Sequence, residues 1–314
     1  MLASIPSPSF HSFHIGSVQV HIYGILMALA VAVAYVVIVK RYVRFGGQRE
    51  AVERAAFWAV VVGFVGARLA YVSTHLYRFR GDPMGVLKLW EGGLALFGGL
   101  TFGAIAAAFV MWRVKGRFIL MADAAAVGLP AAQAIGRWGN YFNQELFGTP
   151  TRLPWGLEID PSHRLAQYAN STTFHPTFLY ESVWNIGVIV FLLWLERRRQ
   201  LRRGTLFASY LVLYAGARFG LELIRTDTTF RFLGLSRNAW VALGVMLLGL
   251  GLLTVILRRR PIPAETPVDL PTAAGNRGEA EAAEAAEAAA EGSPVGQQMT
   301  GDGQSHQHAG AAPE

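Results

Sequence analysis

Tyr214, Arg218 and Glu222 recur at i, i+4 and i+8, so a helix would carry them as one stripe. A second concentration is GRWGNYFNQELFG, Gly136 to Gly148, where Arg137, Asn140, Asn143, Gln144 and Glu145 sit among glycines. A guanidinium binds phosphate through two parallel N–H donors and stays charged when partly buried. Asn amides and glycine-exposed backbone N–H groups beside it suit an anionic oxygen cluster. Plainer readings exist for both: an ion pair neutralising itself on a helix surface, and a polar interfacial loop. The sequence contains no G-x-S-x-G elbow, H-E-x-x-H helix or Walker loop. Nor does it pair aspartates for divalent-ion phosphoryl chemistry. With no cysteine there is no thiolate metal site and no cysteine nucleophile. We expect no metal and no cofactor.

The elements around these residues read as membrane spans. Hydrophobic residues make up 53% of the 314 and charged residues 16%, against about 25% charge in soluble domains. A bilayer core of about 30 Å needs roughly 20 helical residues. Suitable runs lie near 19–39, 55–74, 93–112, 119–136, 178–195, 205–224 and 239–257, which predicts an all-α polytopic protein with seven transmembrane helices. The fourth run is short and carries Asp123, Pro130 and Gln133. Four short segments, 40–54, 113–118, 196–204 and 258–260, hold 16 Lys and Arg, while the longer alternate segments hold nine. The basic set should be cytoplasmic, leaving the N-terminus outside and the C-terminus inside. No Lys or Arg precedes Lys40, so the start is expected to be a retained first span rather than a secretory signal.

Residues 1–260 then form the membrane domain that carries the site, and 261–314 a separate tail. Nine of the 21 acids but one of the 28 bases fall in that tail, so the remainder has a balance of +15. Its Ala, Glu, Gly and Pro composition lacks the hydrophobes that offset ordering entropy, and disorder is expected. The 137–177 segment is too long for a structureless connection and should form a small head on the outer face.

Ionisable groups at membrane depth cost on the order of 3 kcal/mol each, so their placement carries information. In the predicted orientation Tyr23, Arg68, Glu91, Arg137, His175, Glu181, Arg218 and Glu222 all lie toward the outer side; Asp123 lies toward the inner. WEGGLALFGGLTFGA, Trp90 to Ala104, permits close helix packing, and equally the approach of a lipid head group to backbone. Physics leads to a membrane protein that binds an anionic lipid on its outer face, without choosing between enzyme, transporter and scaffold.

GRWGNYFNQELFG resembles the signature of the prolipoprotein diacylglyceryl transferase family, G-R-x-G-N-F-x-N-x-E-x-x-G, with Tyr141 in place of Phe. WEGGLALFGGL, HPTFLYE (His175 to Glu181) and YAGARFGLELIR (Tyr214 to Arg225) resemble further family blocks in the family's order, and the likeness covers about residues 15–257. The family's topology, seven spans with the N-terminus out, agrees with the charge count.

The resemblance implies transfer of the diacylglyceryl group of phosphatidylglycerol to the lipobox cysteine of a prolipoprotein, releasing glycerol phosphate, in the bacterial plasma membrane. The partners implied are phosphatidylglycerol, prolipoprotein lipobox peptides and membrane lipids; no nucleic acid is expected. Arg137 and Arg218 are assigned to the phosphate and its departing charge, with Glu222 and Tyr23 as further catalytic candidates. Asn140, Asn143, Glu145, Gly148, Tyr214, Gly98, Gly99, Arg68 and His175 complete the expected substrate-binding set. Two further positions depart: Phe97 stands where the family commonly has a histidine, a candidate base, and Phe178 where it has Gln. Either proton removal from the thiol falls to another group, such as Glu222, His21 or the lipid phosphate, or that histidine is dispensable, or this member is catalytically weak. The rival classes are a non-catalytic anionic-lipid-binding protein and an anion transporter.

Overall fold

Uninterrupted apolar runs flanked by arginines fold as long helices here. In the computed structural model, which describes residues 4–8, 10–16, 18–88, 92–225 and 231–258, these are α1 (Ile22–Arg44), α2 (Arg49–Thr74), α3 (Leu96–Arg113), α4 (Phe118–Phe142), α5 (Thr177–Arg198), α6 (Thr205–Ile224) and α7 (Arg237–Arg258). Six of them, all but α3, are long and apolar enough to cross a membrane; the apolar run of α3, Phe97–Arg113, is shorter. The protein is thus a mostly helical, multi-pass membrane protein. The tail 261–314, expected to be disordered, lies outside the described residues, as does Glu91.

The helices pack chiefly in the pairs α2–α3, α1–α4, α6–α7 and α4–α5. Small residues permit the closest of these approaches. A Cβ added to Gly98 would lie 2.3 Å from Ala70 Cβ and 2.6 Å from Gly66 O, so only glycine lets α3 meet α2 there. Gly99 likewise faces Ala67 and the Gly63 carbonyl. Of the two readings of this glycine stretch, helix packing is the contact these two residues make. Large side chains on the opposite faces, including Phe57, Trp112 and Val190, stay exposed, as lipid-facing positions do.

Two polar clusters fix one end of the bundle. Arg41 and Arg44 of α1 both reach Glu196 of α5. Asp123 of α4 accepts from the backbone N–H groups of Gly204 (2.6 Å) and Phe207 (3.0 Å). A helix start leaves up to four N–H groups without intrahelical partners, and its dipole favours negative charge. Asp123, the exception to the outward gathering of polar residues, therefore caps α6 from a neighbouring helix.

At the opposite end the connections are structured. β1 (Ser12–Ile15) and β2 (Val18–His21) form an antiparallel hairpin ahead of α1. Helix α4 continues to Phe142, six residues past the expected end of the fourth span, so the first half of the Gly136–Gly148 signature is helical. Beyond it, β3 (Leu157–Glu158) pairs with β4 (Thr173–Phe174). Phe147, Leu157, Ile159, Phe174 and Phe178 make a small apolar core of their own. The segment between α4 and α5 therefore has an apolar core of its own, and the N-terminal segment braces it. Ile5 bridges to Leu157, Tyr141 donates to Pro6 O (3.0 Å), and Gln144 and Ser7 donate to Asp160 at 2.6 and 2.9 Å. Those bonds, Gln144 first, hold the Asp160 carboxyl below its ordinary range. Finally β5 (Arg231–Phe232) and β6 (Leu235–Ser236) form a hairpin that leads into α7.

Candidate active site

Four helix ends converge next to this head: the C-terminal ends of α4 and α6 and the N-terminal ends of α5 and α7. Arg137 of α4 contacts Glu181 of α5, Nη2 to Oε2 at 2.6 Å, and Arg218 of α6 approaches the other oxygen of the same carboxylate at 3.8 Å. Two arginines distant in sequence are thereby gathered around one small acidic group. Glu181 itself is buried.

Arg218 also faces Glu222 one turn on, Nη2 to Oε2 at 2.7 Å, and Arg225 lies 4.0 Å from that oxygen. The Glu222 side chain is fully buried. Its other oxygen accepts from Ser236 Oγ (2.8 Å) and Asn238 Nδ2 (3.2 Å), both arriving with the start of α7. Glu222 is thus surrounded by donors. The 2.7 Å contact lies off the hydrogen-bonding direction, leaving Oε2 without an aligned donor, and Arg218 Nη1 likewise has no hydrogen-bond acceptor. A buried guanidinium nitrogen in that condition suits an incoming anionic oxygen.

Asn140 links the arginines to the rest of the signature. Its Oδ1 lies 3.4 Å from Arg137 Nη1, and its Nδ2 donates to Glu145 Oε1 at 2.9 Å. Asn143 reaches the same oxygen at 3.5 Å. Tyr23 of α1 packs against α4, where a Cβ added to Gly139 would meet its ring at 2.7 Å. The phenol interacts electrostatically with both Glu145 and Arg137. Gly148 donates its N–H to His175 O (3.0 Å) and bridges to Arg225, tying the signature to the ends of α5 and α6.

Other expected residues lie elsewhere. Arg68 is buried, and its guanidinium donates to five backbone carbonyls: Val86, Gly92, Gly93, Gly85 and Lys88. It shapes the α2–α3 connection from within. The His175 ring meets Tyr180 Oη at 3.2 Å, and Tyr214 stacks on Tyr210 with centroids 5.7 Å apart. Phe97 is exposed on α3. Ser236, Asn238 and Arg225 were not singled out from the sequence. Arg225 could have been found from its i+3 spacing to Glu222. Nothing local marks Ser236 and Asn238, which depend on α7 returning alongside α6.

The family profile described as prolipoprotein diacylglyceryl transferase matches residues 11–255. The chain belongs to this family. It is 43% identical over 263 residues to phosphatidylglycerol--prolipoprotein diacylglyceryl transferase 2 of Streptomyces coelicolor, covering 83% of each chain. It is 44% identical over 261 residues to the enzyme of that name, without the numeral, from Cutibacterium acnes, covering 82% of this chain and 88% of the relative. For the Bifidobacterium longum relative the figures are 38% over 279 residues, 83% and 88%. The resemblance read from the signature is the family's own, and the match spans every helix from α1 into α7.

Proposed function

We propose that the chain transfers the diacylglyceryl group of phosphatidylglycerol to the lipobox cysteine thiol of prolipoproteins, releasing glycerol phosphate as the first step of lipoprotein maturation. It acts in the bacterial plasma membrane as a seven-span protein, N-terminus outside and C-terminus cytoplasmic, with its site toward the outer leaflet. The basic loops support this orientation, and α3 serves as the shorter seventh span.

The observation that carries the reading is the gathering of Arg137 and Arg218 around Glu181 at one end of the helices. In this reading the phosphodiester binds beside Glu181, within reach of both guanidinium groups, and Arg218 Nη1 gains the acceptor it lacks. Sulfur attacks the glycerol carbon while the C–O bond breaks and its electron pair leaves on the phosphate oxygen. Preorganised arginines stabilise that developing charge in a site partly closed to water. The same positive field favours the thiolate, whose unperturbed pKa is about 8.5. Glu222 orients Arg218 rather than moving a proton, since Ser236, Asn238 and two arginines already surround it. Tyr23, Asn140, Asn143 and Gly148 complete the lipid- and peptide-binding wall. Arg68, Gly98 and Gly99 act indirectly, by holding α2, α3 and their connection. Tyr214 and His175 contribute through Tyr210 and Tyr180.

Arg137→Ala and Arg218→Ala in membranes test the assignment. Each should lower thioether formation by about 100-fold or more, the scale seen when one charge-stabilising donor is lost. Wild-type rates in both would remove the phosphate site from this position.

A further inference from the structure

Phe97 cannot accept a proton, so some other group must take the thiol proton before sulfur attacks. We infer that Glu145 is that group. The inference rests on the transferase reading above and names a residue role within it.

The three carboxylates of the site differ in their partners. Glu181 stands between Arg137 and Arg218, and Glu222 contacts Arg218 and Arg225 while accepting from Ser236 and Asn238. Protonating either would remove the anionic partner that positions the arginines proposed to hold the phosphate. Glu145 makes no ion pair among the described residues. Among the described residues its hydrogen bonds come from the amides of Asn140 and Asn143, both on Oε1; the Tyr23 phenol interacts with it electrostatically, and the side chain is exposed. Oε2 remains available for a thiol.

Its position suits the task. Glu145 lines a cavity of about 340 Å³ together with Asn143, Leu146, Phe147, His163 and Leu165, apolar enough to accept a short peptide segment. Asn140 joins Glu145 to Arg137 through one amide, so the base and the phosphate-binding cation are held at a fixed spacing. His163 borders the same cavity, but its ring meets the hydroxyl of Ser162 and lies beside Asp160, with no link to the arginines.

The step balances without a further reactant. The S–H proton passes to Glu145 Oε2, the sulfur lone pair forms the C–S bond, and the C–O bond pair departs on glycerol phosphate. Glu145 then returns its proton to water at the exposed face.

The test compares a lipobox peptide carrying cysteine with the same peptide carrying selenocysteine, kept reduced, in phosphatidylglycerol micelles. A selenol is already ionised at neutral pH and needs no base. Glu145→Gln should slow the cysteine peptide by about 100-fold or more, within the range for a lost general base. It should react with the selenocysteine peptide at close to the wild-type rate, which also reports a folded, lipid-loaded protein. Arg218→Ala should slow both peptides alike. The inference fails if Glu145→Gln leaves the cysteine rate unchanged, if it slows both peptides equally, or if His163→Gln reproduces the selenocysteine-rescued loss. A wild-type protein that forms no product with either peptide would overturn the transferase reading itself.

Discussion

Asp123→Ala separates a structural carboxylate from a chemical one. A buried acid inside a helix bundle invites a catalytic reading, yet both Asp123 oxygens are taken by the Gly204 and Phe207 N–H groups at the start of α6. Hydrogen bonds to a charged partner contribute about 1.5–3 kcal/mol each, and removing an N-cap costs typically about 1 kcal/mol. The substitution also relieves the desolvation of the carboxylate, so a net loss of about 2–4 kcal/mol is expected. For a protein of this size 1 kcal/mol corresponds to roughly 1.5–2 °C, so the midpoint of thermal unfolding in detergent should fall by about 4–6 °C for a loss near 3 kcal/mol. Asp123→Asn keeps one acceptor and should fall by about half as much. Below the lowered midpoint, thioether formation per folded molecule should stay within a few-fold of wild type, because α6 still delivers Arg218. A shift smaller than about 2 °C would refute the capping argument. An unchanged midpoint with abolished activity would make Asp123 a chemical group instead.

Arg68→Lys should loosen the 76–95 connection, because an ammonium with three donors cannot serve five carbonyls; limited proteolysis should cut there faster than in wild type, and equal rates would contradict the role. Phe97→His should leave the transfer rate within a few-fold, since Glu145 is already in place as base; a rise of about 100-fold, the scale of general-base catalysis, would mean it is not. Asp160 stabilises the head only when ionised. Its carboxyl is held below the ordinary value of about 3.9, so that stabilisation is complete above this value and disappears as pH falls through the lower folded-state value. Amide protection in the N-terminal segment, taken against the intrinsic exchange rate at each pH, should therefore fall below about pH 4 in wild type. In Asp160→Asn it should already be reduced at neutral pH, and identical profiles would contradict the link.

Hydrophobic run length revealed the helices, because a lipid environment demands long apolar segments whatever their neighbours. Patterning on one helix also anticipated one contact: Arg218 and Glu222 face each other at i, i+4. Partners set by tertiary return were hidden. Glu181 reads as the polar start of a helix, but nothing in its local sequence indicates that it would contact two arginines from different helices. Ser236 and Asn238 reach Glu222 from 14 and 16 residues away. Arg68 and Asp123 were noticed for the cost of burying their charge. What satisfies them is backbone, whose free carbonyls and N–H groups become visible only once loops and helix ends are placed. The end of α4 was missed for a related reason. Arg137 and Asn140 look like span terminators, yet their polar groups are met by Glu181 and Glu145, so the helix continues to Phe142.

The most direct test of the central claim follows one peptide by mass spectrometry. Purified protein in phosphatidylglycerol-containing micelles is mixed with a lipobox peptide carrying a single cysteine, and glycerol phosphate is measured in parallel. The account predicts a diacylglyceryl thioether on the cysteine, with one glycerol phosphate released per adduct. Folded protein that binds phosphatidylglycerol but yields no adduct, beside an active relative under the same conditions, would contradict it and leave a lipid-binding protein without the chemistry.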